Sequence, residues 1–237
     1  MTTANLQVLG HFDVRIGGRS MPLSHDAQRF MALLALRRRP LARLDVIRAV
    51  WPCRTASRGV RDLRALYDAL PDQIRTRVEV DDNGAWSLAE GWTIDLEAAL
   101  AASRRLHANP RPDGIDLLMF RLGLLPGWEE EWLGDLQERY RRLRLSVLQR
   151  VGHHLLATHQ TRRALALAHD IVAEDGLRED GQHLLIASLA QSGRHDLAHQ
   201  QYVRYRARLR HEWGVAPSPQ LHALVSRAQH PAAAAGR

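Results

Sequence analysis

The sequence predicts a mainly α-helical protein with a small β component, laid out as two consecutive parts. Three observations carry that prediction. Residues 5–23 alternate apolar and polar positions (Leu6, Val8, Phe12, Val14, Ile16) between the breakers Gly10, Gly17-Gly18 and Pro22, as strands do. Three short helical stretches and an Asn-Gly hairpin signal follow before residue 90. From Thr93 onward the apolar spacing is helical almost throughout.

Each element has a local cause. Ser24 is placed to cap the first helix, whose apolar face is Phe30, Leu33, Leu34 and Leu36, and Arg37-Arg38-Arg39-Pro40 ends it. A second helix is expected over 42–51 on Leu44, Ile47, Val50 and Trp51, closed by Pro52. The third begins after Thr55 or Ser57 and runs to Leu70, with Val60, Leu63, Tyr67 and Leu70 on one stripe. Val78-Glu79-Val80, the turn Asp81-Asp82-Asn83-Gly84 and Ala85-Trp86-Ser87-Leu88 then form a hairpin. Strands, three helices and a hairpin make the plan of a winged helix, over residues 1–92.

Residues 93–230 are expected as a helical domain with helices at 95–106, 114–122, 135–158, 161–174, 178–192 and 195–212. An offset of 34 sets Leu155 against Leu189, Thr158 against Ser192, Ala164 against Ala198 and Ala168 against Tyr202. That offset is the tetratricopeptide (TPR) period, so a TPR-like repeat fold is expected, with the preceding helices completing its core. The tail, 231–237, is expected to be disordered.

The 237 residues are 45% hydrophobic and 25% charged, an ordinary globular composition with no apolar run long enough to span a bilayer. The N-terminus lacks the basic opening and apolar block of a secretory signal, and one cysteine, Cys53, forms no internal disulfide; the cytoplasm is the expected compartment. All 33 basic residues are arginine, and the net charge is +7. Residues 29–77 alone hold 12 arginines against four acids, a local +8. Arginine's planar fork suits phosphates and base edges, so an anionic partner is expected for that segment. With the apolar stripe of the third helix turned inward, Arg58 and Arg61 point out and Arg64 lies on a flank, as major-groove reading requires. Thr55 and Ser57 are placed to donate to backbone phosphates at the helix start, and Arg75 and Arg77 precede the hairpin where a wing can grip the backbone.

Other chemistry has weaker footing. His153-His154 and the His195/His199 pair lack a third ligand at metal-binding spacing, so no metal is expected. The sequence carries no G-x-S-x-G, P-loop or G-x-G-x-x-G motif; neither an enzyme nor a cofactor is expected. Glu129-Glu130-Glu131 is explained as a charged helix start, its neighbours Trp128 and Trp132 as core anchors, and Cys53 as a small loop residue.

With these elements in place, the chain resembles the SARP-type (Streptomyces antibiotic regulatory protein) transcriptional regulators over nearly its whole length. Leu6-Gln7-Val8-Leu9-Gly10, Pro22-Leu23, Ala27-Gln28-Arg29 and Val50-Trp51-Pro52 are similar to the family's winged-helix domain. Leu124-Leu125-Pro126-Gly127-Trp128, Glu131-Trp132-Leu133 and the run from Glu138 to Leu145 are similar to its bacterial transcriptional activation domain. The most specific piece is the ending: Tyr202, Tyr205, Leu209, Glu212, Gly214, then Pro217-Ser218-Pro219-Gln220-Leu221. The resemblance implies promoter DNA binding through the third helix and wing, RNA polymerase recruitment, and homodimers or higher assemblies on direct repeats. Larger relatives add an ATPase module that this sequence does not contain.

One departure stands out. Asp62-Leu63-Arg64 keeps the frame of the family's third helix, but Asp68, Ala69, Pro71 and Asp72 occupy the end where an arginine cluster is expected. Carboxylates facing phosphates repel them, so either Arg58, Arg61 and Arg64 do most of the reading or the face is weakened. The competing reading is an adaptor that binds a protein through its helical repeats and carries a weakened winged helix.

Overall fold

The period-2 pattern at the N-terminus becomes β1 (Ala4–Gln7), β2 (Asp13–Ile16) and β3 (Arg19–Ser20). The computed structural model describes residues 3–229, so the expected tail at 231–237 lies outside the described residues. β1 and β2 are antiparallel with Leu6 opposite Val14, and Gly17-Gly18, at φ 58° and 82°, supply the two-residue turn into β3. α1 (His25–Arg37), α2 (Arg43–Val50), α3 (Ala56–Asp68) and the single turn α4 (Asp72–Arg75) follow. Ser24 caps α1 as expected, its hydroxyl accepting from the Ala27 N–H at 3.4 Å, and Arg38 ends it in the left-handed region.

β4 (Val78–Val80) and β5 (Trp86–Leu88) form the hairpin. Leu41 and Trp86 exchange both backbone hydrogen bonds at 2.9 and 2.8 Å, tying the hairpin to the α1–α2 connection. β6 (Trp92–Ile94) was not foreseen; it adds to the sheet parallel to β1, giving the order β3-β2-β1-β6. A three-residue strand has too little pattern to be read alone, and its partner is some ninety positions away. The N-terminal region is a winged helix, and the chain as a whole is mainly helical with this small β component.

Two compact units emerge, and they are not two consecutive segments. The first joins Met1–Ala101 to Leu122–Arg141; the second joins Ala102–Arg121 to the chain from Arg142 onward. α5 (Asp95–Ala108) and α6 (Gly134–Ala157) each contribute to both. In the first unit, the Leu125 N–H donates to the Val8 carbonyl and the Gly10 N–H to the Gly123 carbonyl, both at 2.8 Å. Asp95, which opens α5, accepts from the N–H groups of Val8 and Leu9 at 2.9 Å each; burial nonetheless pushes its carboxyl pKa up. The Gln137 amide donates to the carbonyls of Leu124, Leu125 and Trp128.

The acidic run 129–131 precedes α6 rather than starting it. Glu130 is 2.5 Å from Arg29 of α1, a partner that only the fold supplies. Trp128 and Trp132 are half-buried rather than fully enclosed, Trp128 stacking on Phe12 and His25 at 5.8 and 6.0 Å. Cys53 is exposed.

The second unit contains a four-residue 3₁₀ turn (Leu117–Phe120) where a helix over 114–122 was expected. Pro110 and Pro112 precede it, Gly114 takes φ 68°, and the Asp116 side chain accepts from the Leu118 N–H at 2.8 Å; each shortens the segment. α7 (Thr161–Glu174), α8 (Glu179–Gln191) and α9 (His195–Trp213) then match expectation within two residues. The 34-residue repeat is visible in burial: Leu155 and Leu189, Ala164 and Ala198, and Ala168 and Tyr202 are all buried. The same offset relates the turn residues His159 and Gly193, both left-handed at φ 58° and 76°. Arg144 is buried, donating to Glu174 at 2.6 Å.

α10 (Pro219–Gln229) was missed, although Ser218 followed by Pro219 is a helix-start signal. The Ser218 hydroxyl accepts from the Leu221 N–H, while the Ser218 N–H donates to Glu179. Glu179 also accepts from the Tyr205 hydroxyl at 3.3 Å. Burial and that carboxylate push the Tyr205 pKa up. With Gly214 left-handed at φ 69° and Leu221 fully buried, these contacts explain why the ending has its Gly, Pro-Ser-Pro and Leu positions.

Two outcomes are expected. A Cβ on Gly59 of α3 would lie 2.2 Å from Cγ2 of Ile47 in α2, so Gly59→Ala should destabilise the chain by about 1–3 kcal/mol in urea unfolding. His153 packs against His183 at 5.8 Å, and burial, then that second imidazole, holds its pKa below the usual histidine value. The neutral ring is the form the fold prefers, so its stabilisation is present above about pH 6.5 and is lost as pH falls from there toward the depressed value. The urea midpoint should fall on going from about pH 7.5 to about pH 5.5, and His153→Gln should flatten that dependence.

Candidate nucleic-acid interface

α3 is held by its inner stripe. Gly59 and Leu63 are buried, Val60 and Tyr67 are half-buried, and Leu70 is buried just beyond the helix end. The Tyr67 ring meets Trp86 of the hairpin edge-on at 5.2 Å, and Phe30 of α1 meets the same indole at 5.7 Å. Away from that stripe the helix carries Arg58 and Arg61, with Arg64 on the flank as expected; all three are exposed, and 86% of the Arg64 side chain is accessible. Thr55 occupies the cap position with extended backbone (φ −67°, ψ 151°), and its hydroxyl makes no capping bond. Ser57 is exposed in the first turn. The fold therefore brings Thr55, Ser57, Arg58, Arg61 and Arg64 together on one helix.

Two acids on this helix, Asp62 and Asp68, are engaged by neighbouring arginines. Asp62 lies 3.5 Å from Arg54 and 4.0 Å from Arg58, and Asp68 lies 4.0 Å from Arg64. Solvent-exposed pairs at such distances contribute about 0–1 kcal/mol, so an incoming phosphate can replace them. Arg61 has no ion pair among the described residues. Arg54, 42% exposed beside the helix start, joins the group and was counted in the sequence only as charge.

Arg75 and Arg77 lie elsewhere, beyond the C-terminal end of α3 and about 20 Å along its axis from Thr55. Arg75 bonds the Asp72 carboxylate at 2.5 Å and the Asp68 carbonyl at 3.2 Å, bracing the α3–α4 junction. Arg77 is half-buried with its Nε enclosed, and its carbonyl accepts from the Trp92 indole N–H at 3.1 Å. Arg75 thus braces the α3–α4 junction, and the Arg77 backbone joins the start of the hairpin to Trp92.

The hairpin itself is acidic. Residues 78–94 include no basic residue, and Glu79, Asp81, Asp82 and Glu90 are exposed. Asp81 shapes the turn by accepting from the N–H groups of Asn83 and Ala85. The cation at this tip comes from α2: a Cβ on Gly84 would lie 3.1 Å from the Arg43 guanidinium. No sequence signal marks Arg43, because only the packing of α2 beside the hairpin brings it there.

The units also redistribute charge. The first holds 16 arginines and 17 acids, a net of −1; the second holds 17 arginines and nine acids, a net of +8. The local +8 of residues 29–77 is thus offset by acids on the hairpin and on residues 129–138 of the same unit. Among the described residues no group of three or more His, Cys, Asp or Glu could hold a metal ion, and no helix is long and apolar enough to cross a membrane.

Comparison with known proteins identifies the class. Residues 97–228 match the family model of the bacterial transcriptional activator domain, more than half of the chain. The chain belongs to that family. Among solved structures it is similar to Mycobacterium tuberculosis EmbR in complex with a low-affinity phosphopeptide, with a TM-score of 0.74 at 19% identity over 98% of this chain. The chain spans 66% of that protein's length, and the likeness concerns the fold. No curated protein matches the sequence.

The acidic hairpin has a direct consequence for polyanion binding. The double variant Glu79→Gln/Asp82→Asn should elute from heparin at higher salt than the unmodified protein, and unchanged retention would show that the hairpin lies outside the polyanion-binding surface.

Proposed function

We propose that this chain is a DNA-binding transcriptional regulator, acting as an activator, that reads promoter DNA in the major groove with α3. The observation that carries the reading is the row of exposed guanidinium groups at Arg58, Arg61 and Arg64, on a helix whose other face is locked to the winged-helix core. Arg54, Thr55 and Ser57 extend the row at the helix N-terminus, where backbone N–H groups and the helix dipole also favour phosphate. Arg61 and Arg64 take base edges or phosphates, while Arg43 reaches the backbone beside the acidic hairpin. Arg75 and Arg77 support the interface from behind. The helical second unit contacts RNA polymerase or a second copy of the chain. The setting for this work is the cytoplasm.

A second reading is favoured by one observation: the acidic hairpin on a unit of net −1 suits an adaptor whose winged helix no longer holds DNA. One experiment separates the two. Purified protein is offered a pool of genomic fragments at low salt, and the retained duplex is titrated by gel shift. The regulator reading expects Arg61→Ala and Arg64→Ala each to weaken binding by about 1–3 kcal/mol if they reach bases, or to lower the salt slope by about one unit each if they reach phosphates. Arg75→Ala is expected to change stability more than affinity. Retention of no fragment, together with capture of a protein partner, selects the adaptor.

A further inference from the structure

We propose that the outward face of α9 near its C-terminal end, with the connection to α10, is a docking groove for an acidic amphipathic segment of another protein. The proposal deepens the protein-contact half of the function above by naming a surface and a partner chemistry; it does not depend on DNA binding by α3.

α9 has two apolar stripes where one would suffice to anchor it. Ala198, Tyr202, Tyr205 and Leu209 are buried within the second unit, and Leu209 and Tyr205 are 3% and 2% exposed. The open side carries Val203 and Ala207 one turn apart, with Val215 just beyond the helix end. Val203, Trp213 and Val215 are 39%, 63% and 50% exposed, which is costly for an indole and two valines with nothing over them. Val203, Arg206, Ala207, Arg210, His211 and the Gly214–Ala216 connection line a concavity of about 880 Å³.

The charge of this face is uniform. Its arginines, Arg206 and Arg210, are exposed, no acid lines the concavity, and neither arginine forms an ion pair among the described residues. Arg206 and Arg210 are one helical turn apart on the groove side, and Arg206 is held over the Tyr202 ring at 5.9 Å, so its guanidinium is partly pre-oriented. Two planar donors about 6 Å apart beside an apolar floor match a helix or strand that presents carboxylates flanking Leu, Phe or Met side chains. A duplex backbone fits less well, because hydrated phosphates gain nothing from Val203, Ala207 and Val215.

The test uses the full chain and a fluorescently labelled synthetic peptide with Leu and Phe at helical spacing among Glu and Asp, followed by anisotropy. Comparators are polyglutamate of equal length, the same peptide with basic residues replacing the acids, and the duplex DNA of the gel-shift series. The proposal expects the acidic amphipathic peptide to bind, at least tenfold tighter than polyglutamate, with no binding of the basic version. Arg206→Glu/Arg210→Glu should abolish it and Val203→Ser/Val215→Ser should weaken it at least fivefold, with helical circular dichroism unchanged. Arg61→Ala should bind the peptide normally, which separates failure at α3 from failure here. Polyglutamate binding as tightly as the amphipathic peptide overturns the proposal, as does an Arg206→Glu/Arg210→Glu variant that loses DNA and keeps the peptide, or the absence of peptide binding.

Discussion

The orientation of α3 rests on Trp86. Its indole packs T-shaped against Phe30 from α1 and Tyr67 from α3, while its backbone exchanges two hydrogen bonds with Leu41. One residue therefore sets the angle between the hairpin, the first helix and the helix that bears the outward arginines. Gly59 sets the distance, since only a residue without a Cβ lets α3 come this close to Ile47. The outer face of α3 is free to carry charge because its inner face is specified by aromatic and glycine contacts.

Electrostatics in the first unit are local rather than global. A unit of net −1 does not attract polyanions by its total charge, so attraction has to come from how closely its arginines are grouped. On α3 they are interleaved with Asp62 and Asp68 at i,i+4 spacing, which tempers the field and holds the long side chains in order. The hairpin, carrying Glu79, Asp81 and Asp82, adds a repulsive boundary, and such a boundary discriminates between binding geometries more than it adds affinity. Arg43, brought over from α2, is the counterweight at its tip.

The second unit is built by repetition and closed by a polar clasp. Small residues at Gly152 and Gly181 let neighbouring helices approach to where a Cβ would meet Leu184 or Ile171 within 2.3 and 2.6 Å. Glu179 then joins α8, Tyr205 of α9 and the cap of α10 through hydrogen bonds. With the inner stripe of α9 committed in this way, Val203, Arg206 and Arg210 stay exposed on its other side.

How much could be read in advance follows from the range of each signal. Helix periodicity is local, so the inward stripe of α3, its outward arginines, the Ser24 cap, the Asn-Gly hairpin and the 34-residue repeat were all legible in residue order. Short elements with distant partners were not: β6 is three residues long and needs β1, and the stretch around 114–122 was ended by turn chemistry that outweighed its apolar spacing. Charge was the least legible property. A window such as 29–77 has a net sign along the chain, but electrostatic potential depends on distance in space. The fold placed residues 122–141 and the acidic hairpin in the same unit, turned Arg75 to bracing the α3–α4 junction, and brought Arg43 to the hairpin tip. Local order along the chain thus determined which elements form and which faces of them are polar. Only tertiary packing decided which charges share a surface, because that depends on contacts between residues far apart in sequence.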